Sequence, residues 1–164
     1  MLTQKLLDLA GIGKERLHLA WVSSAEAQRF AEIVTTATAS VKEQGRLDAD
    51  AFAIPLEACE MTVSDETIRW LVGKEVKITT NGDVYGRSWD IDAYEDVMLK
   101  ELEREFQKNM IYLAIREGFT SVRDISNEIK VDLLRVSYLL ADLERTNKVE
   151  FTGMKDRKPV FAAL

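Results

Sequence analysis

The chain has 164 residues, of which 46% are apolar and 30% are charged, and its formal net charge is −6 at neutral pH. This length and composition are typical of one or two small globular domains. The negative charge disfavours general attraction to nucleic acid or to an anionic membrane, although it is compatible with a local basic patch. No apolar stretch approaches the length of a membrane span, so we expect no membrane partner. Because Cys59 alone provides no disulfide framework, we expect a cytoplasmic protein.

Residues that bind metals or form disulfides are scarce in this sequence. Cys59 is the only cysteine and His18 is the only histidine. An iron–sulfur cluster and a structural zinc site each need about four thiolate or imidazole ligands, which this chain alone does not have. The sequence also contains no phosphate-binding glycine loop and no recognisable acid–base or nucleophile set. We therefore expect no cofactor in this chain and no catalysis by this chain alone.

The first 45 residues have the pattern of a helix–strand–helix unit. Residues 2–9 have the spacing of a short amphipathic helix. Leucine and tryptophan then alternate with other residues over Leu17–Val22, which predicts a half-buried strand with Trp21 on its core side. Ser23 and the glutamate three residues later have the spacing of a capping box, and Gly45 marks the end of the helix that follows.

The middle of the chain is predicted to be a linker followed by a helix and a β-hairpin. Residues 46–62 show no sustained periodicity and contain a proline, so they are interpreted as a linker. Within residues 63–96 we expect a short helix that Gly73 closes. A hairpin over Val76–Trp89 should follow, because Asn81-Gly82 is a strong signal for a tight β-turn.

Residues 97–164 predict three helices followed by a second β-hairpin, which gives an α+β fold overall. The sequence that shows this pattern is TSVRDISNEIKVDLLRVSYLLADLERTNKVEF, and the hairpin itself is KVEFTGMKDRKPVFAAL. This order of elements resembles a winged helix–turn–helix domain. The resemblance implies that the third helix, at 131–146, would read the major groove of DNA while the hairpin contacts phosphate.

The charges give only partial support to DNA binding by this region. The candidate nucleic-acid-binding residues are Arg135, Lys155, Arg157 and Lys158. Phosphate contacts from such side chains supply much of the affinity for DNA, but the third helix has two basic residues against three acidic ones. Two alternatives therefore stay open: a DNA-binding transcriptional regulator, in which these residues contact DNA, and a module that docks on protein.

The N-terminal region resembles a known family over a longer and more specific run. Residues 6–34 read LLDLAGIGKERLHLAWVSSAEAQRFAEIV. They resemble the C-terminal part of the small iron–sulfur (delta) subunit of methyl-viologen-reducing hydrogenase, over about residues 1–45. The matching positions are Gly11, Ile12, Glu15, Arg16, Leu17, Leu19, Trp21, Ser23, Glu26, Arg29, Phe30, Ala31 and Glu32.

The resemblance implies electron transfer between a hydrogenase or formate dehydrogenase and a heterodisulfide reductase. In that family the iron–sulfur cluster is held by cysteines upstream of the similar segment, whereas Cys59 lies outside it. The cluster is therefore expected on a partner or on an upstream segment missing from this chain. Two explanations stay open, namely the C-terminal piece of a longer subunit and a separate polypeptide that docks on a cluster-bearing partner.

The leading hypothesis is an accessory docking protein of such a complex, with iron–sulfur or flavin redox subunits as partners. The candidate docking residues are Trp21, Glu26, Arg29 and Phe30. For Trp21, core packing is the preferred interpretation and docking is the alternative. A local ion pair explains Glu26 with Arg29 as well as docking does. The strand at Leu17–Val22 needs a neighbour, which would be a partner, a second copy in a homodimer, or the hairpin over Val76–Trp89.

Overall fold

Helices dominate the fold. The computed structural model describes residues 2–164, and the chain divides into two units with the boundary between Ala53 and Ile54. In chain order the elements are α1 (Leu2–Leu9), a single 3₁₀ turn (Lys14–Arg16), α2 (Ala27–Gln44), α3 (Ala53–Ser64), α4 (Glu66–Asn81), α5 (Ile91–Arg116), α6 (Val122–Ile129), α7 (Leu133–Arg145), β1 (Val149–Lys155) and β2 (Lys158–Ala163). The α+β class is thus correct at this level, with one two-stranded antiparallel sheet among the described residues.

The first unit contains α1, the 3₁₀ turn and α2, and the predicted strand over Leu17–Val22 is wrong. These six residues belong to no helix or strand. Strand periodicity specifies which side chains share a face, but a strand also needs a second backbone to pair with. The described part of this unit offers no such backbone. The prediction that α2 ends at Gly45 is confirmed, with Gly45 at φ 71°.

The predicted linker over residues 46–62 is wrong for its second half, which is helical in α3. Pro55 is the third residue of this helix. A proline in the first helical turn removes an N–H group that would have no acceptor within the helix. The proline that suggested a loop is therefore compatible with a helix start.

The predicted hairpin over Val76–Trp89 is also wrong, because α4 passes through Gly73 and continues to Asn81. The helix is capped by Asp65, whose carboxylate accepts hydrogen bonds from the backbone N–H groups of the second and third residues that follow it. Asn81-Gly82 ends the helix instead of turning a hairpin, with Gly82 at φ 85°. A glycine with positive φ serves either purpose, so the dipeptide alone does not distinguish them.

The predicted elements of the C-terminal region are confirmed. The long helix is α5, Ser121 caps α6 by accepting from the N–H of Asp124, and the tail pairs as β1 and β2. Val97 and Leu133 are exposed, while Leu139 of α7 is buried. The central core consists of Ile111, Ala114, Ile115, Ile125, Val136, Leu139, Leu140, Leu143 and Val149.

Three contacts fix further elements of the second unit. Asn109 of α5 donates from Nδ2 to Oγ1 of Thr62 in α3 at 3.0 Å, and both side chains are buried. The hairpin is attached to the loop before α6, because the N–H of Phe161 donates to the carbonyl of Thr120 at 3.0 Å. Val160 also forms an isolated β-bridge with Ser121. The hairpin is thereby held against the start of α6.

Candidate functional site

The backbone of residues 18–22 makes no hydrogen bond to any other residue in the described range 2–164. The segment is nevertheless anchored where it starts. Gln4 of α1 donates from Nε2 to the carbonyl of Leu17 at 3.0 Å. Leu17 itself has β-region dihedral angles, with φ −115° and ψ 111°. The start of residues 18–22 is therefore anchored, while the backbone N–H and C=O groups of the segment have no hydrogen-bond partner in the described range.

The C-terminal end of α2 is held to the 3₁₀ turn by side chains. The Arg16 guanidinium donates to the carbonyls of Gln44 and Gly45 at 3.2 and 3.1 Å. Gln44 donates in return from Nε2 to the carbonyl of Glu15 at 3.2 Å. A cation at this end complements the helix dipole and satisfies carbonyls that lack a helical partner. These contacts fix α2 beside the start of residues 18–22.

An exposed set of apolar side chains lies on this part of the chain. Trp21 is 92% exposed and Phe30 is 59% exposed, so the preferred interpretation of Trp21 as a core residue is wrong. Leu19 lines a cavity of about 330 Å³ together with Ile33 and Ala37 of α2, which places it against that helix. We call the exposed set the N-terminal apolar surface; it consists of Leu19, Trp21, Phe30, Val34 and Val41.

Glu26 and Arg29 form the predicted local ion pair, with Nη1 of Arg29 3.0 Å from Oε1 of Glu26. The second carboxylate oxygen of Glu26 accepts from the N–H of Ser23 at 2.8 Å. The predicted capping box at Ser23 is nevertheless wrong, because α2 begins at Ala27 and Glu26 occupies its N-cap position. The hydrogen bond from Ser23, followed by the contact with Arg29, lowers the pKa of Glu26. The pair therefore has a structural role, and its role in docking stays a prediction.

The three predicted basic residues of the hairpin lie at its exposed turn and in the flanking strand ends. Arg157 and Lys158 line a cavity of about 310 Å³ whose wall also includes Arg123 of α6. Arg123 was not predicted, and only the three-dimensional docking of the hairpin on α6 brings it here. Lys155 is exposed and pairs in register with Lys158. The turn thus has one more basic neighbour than the sequence indicated.

The outward face of α7 is more apolar than basic. Arg135 donates from Nε to Oε1 of Gln107 in α5 at 2.9 Å, so its guanidinium is directed partly to the protein. Leu134 is 62% exposed and Tyr138 is 66% exposed one turn further along. An exposed leucine–tyrosine pair on one helix face is a feature of surfaces that contact protein.

Comparison with known proteins gives one match. Residues 1–45 match the family described as methyl-viologen-reducing hydrogenase, delta subunit. The match is confined to those residues, and the remainder of the chain lies outside it. No curated protein and no solved structure matches the chain. We call residues 1–45 the delta-like segment, and it contains residues 18–22, α2 and the whole N-terminal apolar surface.

Cys59 lies on α3, outside the delta-like segment. Partial burial raises the pKa of its thiol to about 11, which keeps it protonated at neutral pH. Within residues 2–164 no group of three or more histidine, cysteine, aspartate or glutamate side chains is placed to hold a metal ion. In the same range no helix is both long and apolar enough to cross a membrane.

Proposed function

We propose that this chain is a non-catalytic accessory subunit of an electron-transfer complex of the hydrogenase or heterodisulfide reductase type. The delta-like segment docks on a redox partner that carries an iron–sulfur cluster or a flavin. The similarity of residues 1–45 to the delta subunit supports the class of complex. The lone cysteine supports the assignment of the redox centre to the partner.

The observation that carries this proposal is the unpaired backbone of residues 18–22 beside exposed apolar side chains. Extended backbone with free N–H and C=O groups adds readily to the edge of another sheet. Trp21 and Phe30 then supply the large apolar contacts that dominate the energy of most interfaces. One of the three predicted neighbours for this segment, the hairpin over Val76–Trp89, is removed because that region is α4 and a loop.

The test is direct binding to purified hydrogenase and heterodisulfide reductase subunits encoded near this chain's gene, measured by calorimetry. We expect binding to a cluster- or flavin-bearing subunit, and we expect Trp21→Ala with Phe30→Ala to weaken it at least tenfold. The matched control is Leu134→Ala with Tyr138→Ala, which removes an equally exposed apolar pair from α7. Equal loss in both double variants, or no binding to any redox subunit, contradicts the proposal.

A second candidate function is DNA binding by residues 97–164, as a winged helix. Three helices followed by a hairpin support the resemblance, and the joint cavity of Arg123, Arg157 and Lys158 favours phosphate contacts. The apolar outward face of α7 favours protein docking by the same domain instead. An electrophoretic mobility assay separates the two. DNA binding that weakens steeply with salt, and weakens again in Arg123→Ala with Arg157→Ala, supports the regulator.

A further inference from the structure

A further lined cavity, outside the surfaces described above, lies at the C-terminal end of α4. It measures about 390 Å³, which is within the range of about 300–1,000 Å³ that small-molecule sites occupy. Its wall is formed by one face of α4 and by the loop that follows, and it includes Trp70, Lys74, Lys77, Ile78, Asp83 and Val84. Trp70, Lys74, Lys77 and Ile78 belong to α4 and follow one another at spacings of four, three and one residues, which places them on one side of the helix.

Two of these side chains are cations without an anionic partner. Neither Lys74 nor Lys77 forms an ion pair with a residue in the described part of the chain. The nearby carboxylate of Asp83 does not neutralise them, because it is bound by the guanidinium of Arg87, with Nε 2.7 Å from Oδ2. The cavity therefore carries two free positive charges, one helical turn apart.

The same cavity presents an aromatic surface. Trp70 is 55% exposed and has no aromatic neighbour in the described residues. It lies about 6 Å along the helix axis from Lys74 and about 10 Å from Lys77. An indole exposed to this extent can gain free energy by offset stacking against another planar ring.

The loop that forms the other wall is held in place by hydrogen bonds. Oδ1 of Asp83 accepts from the backbone N–H groups of Tyr85 and Arg87 at 2.9 and 3.0 Å. The N–H of Asp83 donates to the carbonyl of Arg87 at 2.9 Å. The wall is thus preformed, and a ligand would not have to order it on binding.

We propose that this cavity binds a small anion with a planar aromatic ring, the chemistry of a nucleoside monophosphate. The ring stacks on Trp70 and contacts Ile78 and Val84, while Lys74 and Lys77 bind the anionic group. A lysine ammonium binds phosphate oxygen by a charge-assisted hydrogen bond, and two of them one turn apart reach the same phosphate. The site is independent of the proposed docking function, because it lies outside the delta-like segment.

The test is isothermal titration calorimetry of the full chain with AMP and with FMN. Adenosine, riboflavin and inorganic phosphate serve as the separated parts of these probes. We expect one-to-one binding of AMP or FMN, and binding at least tenfold weaker for every separated part. The variant with Lys74→Ala and Lys77→Ala should lose at least tenfold in affinity. Arg69→Ala removes a cation from the same helix but outside the cavity, and it should change affinity less than twofold.

The contribution of the ring is tested by Trp70→Phe and Trp70→Ala. We expect the phenylalanine to retain most of the affinity and the alanine to lose about tenfold. The lysine variants keep the test decisive if Trp70→Ala does not fold, because they remove solvated charges. The proposal is overturned if neither probe binds at millimolar concentration or if the double lysine variant binds as well as the intact chain. Tighter binding of a single-stranded oligonucleotide at the same residues also overturns it, in favour of a nucleic-acid site.

Discussion

Asp83 and Arg87 form an ion pair in the loop after α4. They are four residues apart in the sequence, although neither lies in a helix. The guanidinium of Arg87 contacts the carboxylate twice, with Nε 2.7 Å and Nη2 2.6 Å from Oδ2. The same guanidinium lies over the ring of Tyr85, 5.0 Å from its centroid. A single carboxylate therefore organises both the side chains and the backbone of this loop.

The titration of Asp83 should report on this arrangement. Hydrogen bonds from the side chain and then the backbone of Arg87 lower the pKa of Asp83 to about 2 from an ordinary value of 3.8. Because the folded value is the lower one, the carboxylate supports the loop fully above about pH 4 and ceases to do so as the pH falls through about 2. The amide chemical shifts of Tyr85 and Arg87, followed by NMR through an acid titration, measure this transition.

The variant Arg87→Ala removes the largest cause of that shift. We expect the pKa of Asp83 to rise toward its ordinary value in this variant and to stay near 2 in the control Arg69→Ala. A midpoint near 3.8 in the unaltered chain would show that the contact between Asp83 and Arg87 does not persist in solution.

Two glycines near this loop should respond in opposite directions to replacement by alanine. Gly73 lies inside α4, and a Cβ there would meet no atom within 4 Å, so Gly73→Ala should stabilise by about 0.5–1 kcal/mol. Gly82 has φ 85°, and a Cβ there would lie 3.2 Å from the carbonyl oxygen of Arg87. Gly82→Ala should therefore destabilise by about 1–2 kcal/mol.

Urea denaturation of both variants measures these changes. The pair also tests the course of the backbone, because a hairpin turn at Asn81-Gly82 would leave Gly73 at the end of a helix. In that arrangement Gly73→Ala would destabilise the protein.

The two sides of α7 should differ sharply in their sensitivity to truncation. Leu140 is buried in the central core, so Leu140→Ala should lower the free energy of unfolding by about 2–5 kcal/mol. Leu134 is exposed on the same helix, and Leu134→Ala should change it by less than about 0.5 kcal/mol. Equal costs for the two substitutions, measured by chemical denaturation, would mean that the helix is rotated from the orientation described.

We expect the side chains of Asn109 and Thr62 to be energetically coupled, because they form a buried hydrogen bond. Thr62→Val keeps the shape but leaves the Asn109 amide buried without this acceptor, at a cost of about 1–3 kcal/mol. Adding Asn109→Leu removes the unsatisfied donor, so the double variant should be more stable than the sum of the two single changes predicts. A double-mutant cycle by thermal or urea unfolding gives the coupling energy, and strict additivity would argue against the contact.

The C-terminal region could be predicted because several local signals there agree. Ser121 combines a cap position with an acidic residue three places later, and the apolar residues of α7 recur at helical spacing. The sequence alternates between apolar and polar residues over 149–152, and the hairpin turn is polar. Leu133 lies just outside the buried stripe of α7, and Leu139 lies just inside it.

The middle region could not be predicted because its local signals conflict with its structure. Val76, Ile78, Thr79 and Thr80 favour strands by propensity, yet they lie in α4. The two threonine hydroxyls donate to backbone carbonyls one turn earlier, which satisfies them within the helix. Packing of α4 against α5 adds a stabilisation that no local pattern reports, including the hydrogen bond from the Tyr94 hydroxyl to the carbonyl of Leu71 at 2.8 Å.

For the candidate site residues, sequence spacing predicts local contacts but not burial or contacts between distant elements. Alternation wrongly predicted a strand over Leu17–Val22 and wrongly placed Trp21 in a core, whereas Trp21 is 92% exposed. The ion pair of Glu26 with Arg29 follows from spacing alone. The cavity shared by Arg123 and Arg157 depends on tertiary docking, so no linear pattern identifies it.

The protonated thiol of Cys59 has a practical consequence. With its pKa near 11 in place of 9.0, its reactive thiolate fraction near neutral pH is about a hundredfold below that of an ordinary cysteine. Alkylation should therefore be slow while α3 stays seated and should accelerate whenever that helix detaches. Since no other cysteine competes for the reagent, the alkylation rate of Cys59 measures the opening of this single helix with no added label.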